Sequence, residues 1–322
     1  MKKLFIKAIM YFFLILLCLE VLVRVFHLYS ELPIEEVASD GIVKWIPNQK
    51  GISVYGNRKQ QVAEYNINNS GYNSYREFKP TKNNFELAFL GDSYIEGFHQ
   101  NYYNSIGKKI EDKLSNIHVY EFGHSANDFA DQMYLLHQNK DLFELIDHVI
   151  IRIKYEKDFI RGDYEFYEKK PLFPLFRHSK LVVYLLNIGA TKSLKKLYRG
   201  VMDLKNVVSK KELKPSTNKG SSKKDVHHLY LENFKKIITK YGFDKSKITL
   251  LLDSKKTDLL FVNYLNQTQI NYIDYSITFD RENSKPQTLI YDAHWNDYGR
   301  ELISDDIAKY IFDIQNKNSD RE

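Results

Sequence analysis

Cysteine is nearly missing: Cys18 stands alone in 322 residues, so no disulfide can form within the chain and a disulfide-stapled scaffold is excluded. Metal-binding patterns are missing as well. Ten histidines form no His-Glu-x-x-His and no paired ligand spacing, and Asp225-Val226-His227-His228, beside a basic stretch, reads as solvated. No Walker-type or Gly-x-Gly-x-x-Gly segment occurs, so nucleotide use has no signature and no cofactor is expected. No internal repeat is visible. Strong charge of one sign is also lacking, since the formal net charge is +6 with 27% charged and 43% hydrophobic residues. That is an ordinary globular composition, long enough for one large α/β core or one core with an insertion.

Long apolar runs are scarce, with one exception at the amino end. Lys2, Lys3 and Lys7 precede an apolar run that continues past Glu20 and Arg24 to Phe26. A membrane span needs about 20 mostly apolar residues. Residues 4–26 supply them with Lys7, Glu20 and Arg24 near the ends, and Glu20 and Arg24 can pair at i, i+4. No A-x-A-like cleavage site follows, and Leu17 before Cys18 does not suit a lipoprotein signal. The basic flank before the run and Glu31, Glu35, Glu36 and Asp40 after it place the amino end inside and the rest outside the cytoplasm. The expectation is an uncleaved anchor over residues 1–27, a cleaved signal peptide and a buried helix being the alternatives.

What the chain does have is a short apolar run, Glu86-Leu87-Ala88-Phe89-Leu90, that ends in Gly91-Asp92-Ser93 and breaks again at Gly97. The run reads as a buried strand, which puts Ser93 at the carboxyl edge of a sheet, where α/β folds place their sites. Near the other end, Asp292-Ala293-His294-Trp295-Asn296 precedes a helical pattern from Leu302 to Phe312. A serine nucleophile needs a base, and the base needs a partner that fixes its tautomer. Ser93, His294 and Asp292 are the candidates for those three roles.

Gly-Asp-Ser-x-x-x-Gly near the first sheet strand, with Asp-x-His-Trp-Asn before the last helix, resembles the SGNH (GDSL-type) hydrolase superfamily. The likeness is to its membrane-anchored variant, with extracytoplasmic esterase and O-acyltransferase members. The Asp-x-His-Trp element also resembles proteins that O-acetylate alginate and related polysaccharides. At motif level the likeness spans roughly residues 60–315, with a large gap in the middle. Asn68-Asn69-Ser70-Gly71-Tyr72 with Arg76 beyond it is similar to the lead-in of anchored members. The resemblance implies an oxyanion hole formed by the N–H groups of Ser93 and Ala126. The family's Asn-Asp-Phe becomes Lys157-Asp158-Phe159 here, so Lys157 stands where an asparagine normally donates. Many relatives place the acid three residues before the histidine, at Tyr291 here, whereas the Asp-x-His-Trp variant places it at Asp292.

Further strands are expected at 117–122, 145–153, 248–253 and 270–275, with helices at 104–114, 129–138, 230–241 and 255–265 between them. Alternation of this kind argues for a parallel sheet covered on both faces. The expectation is therefore a flavodoxin-like three-layer α/β/α sandwich with a five-stranded parallel sheet, over residues 81–315. Residues 28–80 would be an extracytoplasmic lead-in with short strands. A basic, partly flexible insertion is expected at about 170–228: residues 180–204 have helix-like spacing, and 205–225 carry seven lysines and two acids and read as a mobile loop. No aromatic residues are interleaved with those lysines, so nucleic acid is not an expected partner. The expected activity is hydrolysis of acyl esters on a carbohydrate or cell-envelope glycan. The alternatives are O-acetyl transfer to an exported polysaccharide, with a membrane-bound acyl-donor partner, or a non-catalytic member that binds glycan or a membrane partner.

Overall fold

The computed structural model describes residues 2–56, 59–125, 127–166, 178–190 and 223–319. They belong to two compact units, one drawn from residues 1–32, 52–62 and 169–219, the other from 33–51, 63–168 and 220–322.

In the first unit an α-helix runs over Lys2–Val25, long and apolar enough to cross a membrane. At 1.5 Å per residue it reaches about 36 Å, more than the ~30 Å hydrocarbon layer. Its two late charges have partners. Arg24 donates to Glu20 at 2.7 Å, and Glu20 also accepts from Ser179 Oγ at 2.9 Å and from the Lys180 and Leu181 amides at 2.9 and 2.8 Å. Glu20 thus satisfies first-turn amides of the helix Lys180–Asn187, which have no partners within their own helix.

The second unit is built on a five-stranded, all-parallel sheet. Its lead-in contributes β1 (Glu35–Val37) and β2 (Val43–Trp45), an antiparallel pair. The strands β3 (Lys50–Tyr55) and β4 (Gln61–Asn66), whose residues 52–62 belong to the first unit, form another two-stranded sheet. The main sheet consists of β5 (Phe85–Gly91), β6 (Ile117–Gly123), β7 (His148–Arg152), β8 (Ile248–Leu252) and β9 (Tyr272–Asp274). Its order is β6-β5-β7-β8-β9, the flavodoxin-like order expected of the chain, which reverses direction beside β5 and so opens a crevice at that strand's carboxyl end.

Strand side chains alternate between the two faces. Ala88 and Leu90 of β5 enter the core with Phe129, Met133, Phe234, Ile237 and Phe261. Leu87 and Phe89 enter the opposite core with Ile106, Ile110, Ile303, Ile307 and Ile311. Helices Phe129–Gln138, Lys223–Tyr241 and Leu259–Thr268 carry the first set, and Ile106–Glu111 and Asp297–Ser319 the second. Three layers result.

Several boundaries differ from expectation. The helix expected at 255–265 begins at Leu259, because the Asp258 side chain caps it through the Leu260 amide and 254–256 make a 3-10 turn. A helix at Tyr275–Arg281 replaces the expected end of the last strand; Asp274 accepts from the Ser276 amide and caps it. The helix expected from 230 starts at Lys223, so the end of the expected mobile stretch is helical, with Asp225 in the first turn where a negative charge suits the helix dipole. His227 on that helix is half-buried, 3.2 Å from the Tyr155 hydroxyl, and so is not simply solvated. The remainder of the stretch, 205–222, lies outside the described residues.

Candidate active site

Two chain segments of the second unit meet at the carboxyl end of β5. Ser93 opens the one-turn helix Ser93–Glu96, which Asp92 caps by accepting from the Tyr94 amide and Gly97 ends in the left-handed conformation at φ 69°. Ser93 Oγ lies 2.7 Å from His294 Nε2. His294 Nδ1 lies 2.6 Å from Asp292 Oδ1, which also accepts from the His294 amide at 3.2 Å. Desolvation lowers the His294 pKa despite the raising effect of Asp292. Burial works to raise the Asp292 carboxyl, but the hydrogen bonds and charge interactions with His294, with a smaller one from His99, together outweigh that and hold it lower. A neutral imidazole beside an ionised carboxylate is the state in which Nε2 can accept a hydroxyl proton.

The residues around Asp292 and His294 explain how so short a segment is held. Trp295 is 2% exposed and packs edge-on against Tyr94 and Tyr275. Asn296 Nδ2 donates to the Pro286 and Thr288 carbonyls at 2.7 and 3.1 Å, and the Leu289 amide donates to the His294 carbonyl at 2.9 Å. Tyr94 OH donates to the Ala293 carbonyl at 2.9 Å, so the residue after the serine also fixes the histidine loop. The exposed Tyr291 is the wrong chemical type for the acid's place, and its neighbour Asp292 meets the imidazole.

Other groups at the site had no motif to announce them. His99 stacks on His294 with centroids 3.9 Å apart, and its Nε2 is 3.4 Å from Asp292 Oδ2. Its own pKa is pushed down to about 3 by burial first and by His294 second, so it faces Asp292 uncharged. Ligand atoms of His99, Asp292 and His294 all lie within 4.8 Å of one another, the group among the described residues able to share a cation. Arg152, at the end of β7, is buried and donates to Asp92 at 2.8 Å while its guanidinium covers the Tyr94 ring at 3.8 Å. A lone cation in the apolar run 149–153 was the available signal, because a buried arginine demands a partner.

The lead-in and the loop after β6 hold the serine turn through Glu96. Trp45 Nε1 and the Ser125 amide both donate to the buried Glu96 at 3.0 Å, and Asn73 donates to the Glu96 carbonyl at 2.7 Å. Burial pushes the Glu96 carboxyl up to about 7. Of the remaining expected donors, Ala126 lies outside the described residues. Lys157 sits on the short helix Tyr155–Asp158 and lines a cavity of about 550 Å³ together with Tyr94, Ala293 and Trp295.

Solved structures resemble this chain at low identity. A lipolytic protein of the G-D-S-L family from Veillonella parvula shares 12% identity, with 70% of this chain and 96% of that one covered and a TM-score of 0.37. A psychrotrophic esterase from a Pseudoalteromonas species shares 13% over 72% of this chain and 100% of that one, TM-score 0.39. A catalytic mutant of an acetylxylan esterase from Geobacillus stearothermophilus shares 13% over 72% and 95%, TM-score 0.34. No protein-family model matches the sequence, and no curated protein matches it.

Proposed function

We propose that the protein is a serine esterase that cleaves acyl, chiefly acetyl, esters of a carbohydrate, tethered by its amino-terminal helix with the second unit outside the cytoplasm. The observation that carries this reading is the continuous relay from Ser93 Oγ through His294, at 2.7 Å, to Asp292, at 2.6 Å. Ser93 attacks the ester carbonyl as His294 Nε2 takes its proton, and Asp292 holds Nδ1–H and stabilises the imidazolium. The tetrahedral oxyanion is met by the Ser93 amide, a first-turn donor without a partner in its own helix, with Ala126 and Lys157 as the further donors. Collapse expels the sugar alcohol with the proton from His294, and water repeats the sequence on the acyl-serine. The carbohydrate as substrate follows the resemblance of the Asp-x-His-Trp element, and the outward orientation follows the basic flank before the apolar helix.

The test treats detergent-solubilised full-length protein with a fluorophosphonate probe and with p-nitrophenyl acetate, beside Ser93→Ala. Labelling located on Ser93, with turnover that Ser93→Ala loses, is the expected result. Labelling with turnover only when a sugar acceptor is added would change the reading to acyl transfer. Absence of both signals would overturn it.

A pH profile follows from the same site. Because desolvation holds His294 below the ordinary imidazole value, the neutral base persists into more acid solution. The acid limb of kcat/KM is therefore expected below about pH 6.5. A limb above that value would mean that the carboxylate, not desolvation, dominates the imidazole.

A further inference from the structure

The cavity beside the relay carries a surplus of positive charge. Arg152, Lys154, Lys157, Lys255 and Lys256 line it, against the acids Glu156 and Asp253. Three of the cations are already engaged: Arg152 with Asp92 at 2.8 Å, Lys256 with Asp253 at 2.8 Å, and Lys255 with Asp280. Among the described residues, Lys154 and Lys157 have no carboxylate within ion-pair distance. Lys154 is half-buried, with its ammonium 5.7 Å from the centre of the Tyr94 ring, the residue adjoining the nucleophile. Burial first, then the neighbouring charges of the exposed Lys157 and of Arg152, lower the Lys154 pKa against the smaller raising effect of the Asp92 and Asp158 carboxylates. Holding like charges together at a partly desolvated wall costs free energy unless an anion occupies the space between them. The other wall is Tyr94, Ala293 and Trp295, on the two segments that hold Ser93 and His294. Ser93 and His294 do not line the cavity themselves; their chain neighbours Tyr94, Ala293 and Trp295 do.

We propose that this cavity is a subsite for an anionic oxygen group of the substrate, a sugar carboxylate or a sugar phosphate, bound by Lys154 and Lys157 beside the scissile ester. The proposal rests on the esterase reading for what the bound molecule is, but its test does not need turnover. Calorimetric titration of the full-length protein would compare glucuronate, glucose 6-phosphate and glucose. At least one of the anions is expected to bind about tenfold more tightly than glucose, the scale of a hydrogen bond to a charged group. Whichever of the two binds more tightly identifies the group as carboxylate or phosphate. Lys154→Met is expected to reduce that anion preference about fivefold or more, and Lys154→Arg, which keeps the charge, to retain most of it. If Lys154→Met does not fold, Lys154→Gln is read in its place. Anions that bind no better than glucose, or a preference that survives loss of the charge, would overturn the subsite. Fluorophosphonate labelling of Ser93 on the same sample separates the two readings: labelling without anion preference removes the subsite alone, and anion preference without labelling removes the esterase alone.

Discussion

Asp292→Asn is expected to leave the fold intact and to lower kcat by about three to four orders of magnitude, the scale seen when the orienting carboxylate of such a relay is neutralised. The cause is tautomeric. Asp292 Oδ1 accepts from His294 Nδ1 at 2.6 Å, which leaves the Nε2 lone pair aimed at Ser93 Oγ, 2.7 Å away. An asparagine amide at the same place can donate to Nδ1, and the imidazole then carries its proton on Nε2, where it cannot act as a base. Two readouts distinguish this from simple collapse of the loop. Trp295, Asn296 and the Tyr94 hydroxyl hold the histidine segment independently of the carboxylate, so the melting temperature should scarcely move. Loss of the raising effect of Asp292 should also shift the acid limb of the remaining activity further down in pH, since desolvation then acts on His294 without its largest opposing cause. A kcat within tenfold of wild type would mean that the carboxylate is not what orients the base.

The elements and the relay were legible for different reasons. The central strands β5, β7 and β8 are mostly apolar runs, buried on both faces, which is how such strands look in sequence. The last helix and the serine turn stand beside residue types that have few alternative uses in such places. His99 was not legible, because nothing periodic links it to Ser93; it reaches the imidazole only because Gly97 turns the chain through a left-handed conformation. The basic cavity was hidden for a topological reason. Lys154 and Lys157 follow β7 and Lys255 and Lys256 follow β8, and only the parallel pairing of those strands brings the two exits together. The helix at Tyr275–Arg281 was overlooked because Tyr272–Asp274 and Tyr275 read as one aromatic, β-branched run, while the ending signal was the cap made by Asp274 on Ser276. Arg152 was legible in principle: an arginine in a strand with every other residue buried requires an anion nearby, and Asp92, next to Ser93, is that anion.

Gly123→Ala is expected to destabilise the protein more than any exposed substitution and to remove Ser93 reactivity with it. Gly123 ends β6 in register with Gly91 at the end of β5. A Cβ at this position would fall 2.0 Å from the Glu96 amide nitrogen and 2.4 Å from the Ile95 carbonyl carbon. Those are backbone atoms of the turn that presents Ser93, so no side-chain rotation relieves the contact. Either the strand end or the serine turn must move by more than an ångström in a packed interior. Overpacking of this kind costs about 3 kcal/mol or more, which for a domain of this size lowers the melting temperature by roughly 6–12 °C. Displacing the turn also breaks the 2.7 Å contact between Ser93 and His294, so fluorophosphonate labelling should fall even at temperatures where the variant is folded. Gly242→Ala supplies the comparison. Gly242 has φ +85° but nothing within 4 Å of its would-be Cβ, and the substitution there should cost only about 1 kcal/mol of backbone strain and leave labelling unchanged. If the two variants melt together, close approach at the strand end is not what requires Gly123. If Gly123→Ala melts early but labels at the wild-type rate, the serine turn is held by its lead-in contacts to Trp45 and Asn73 rather than by its fit against β6.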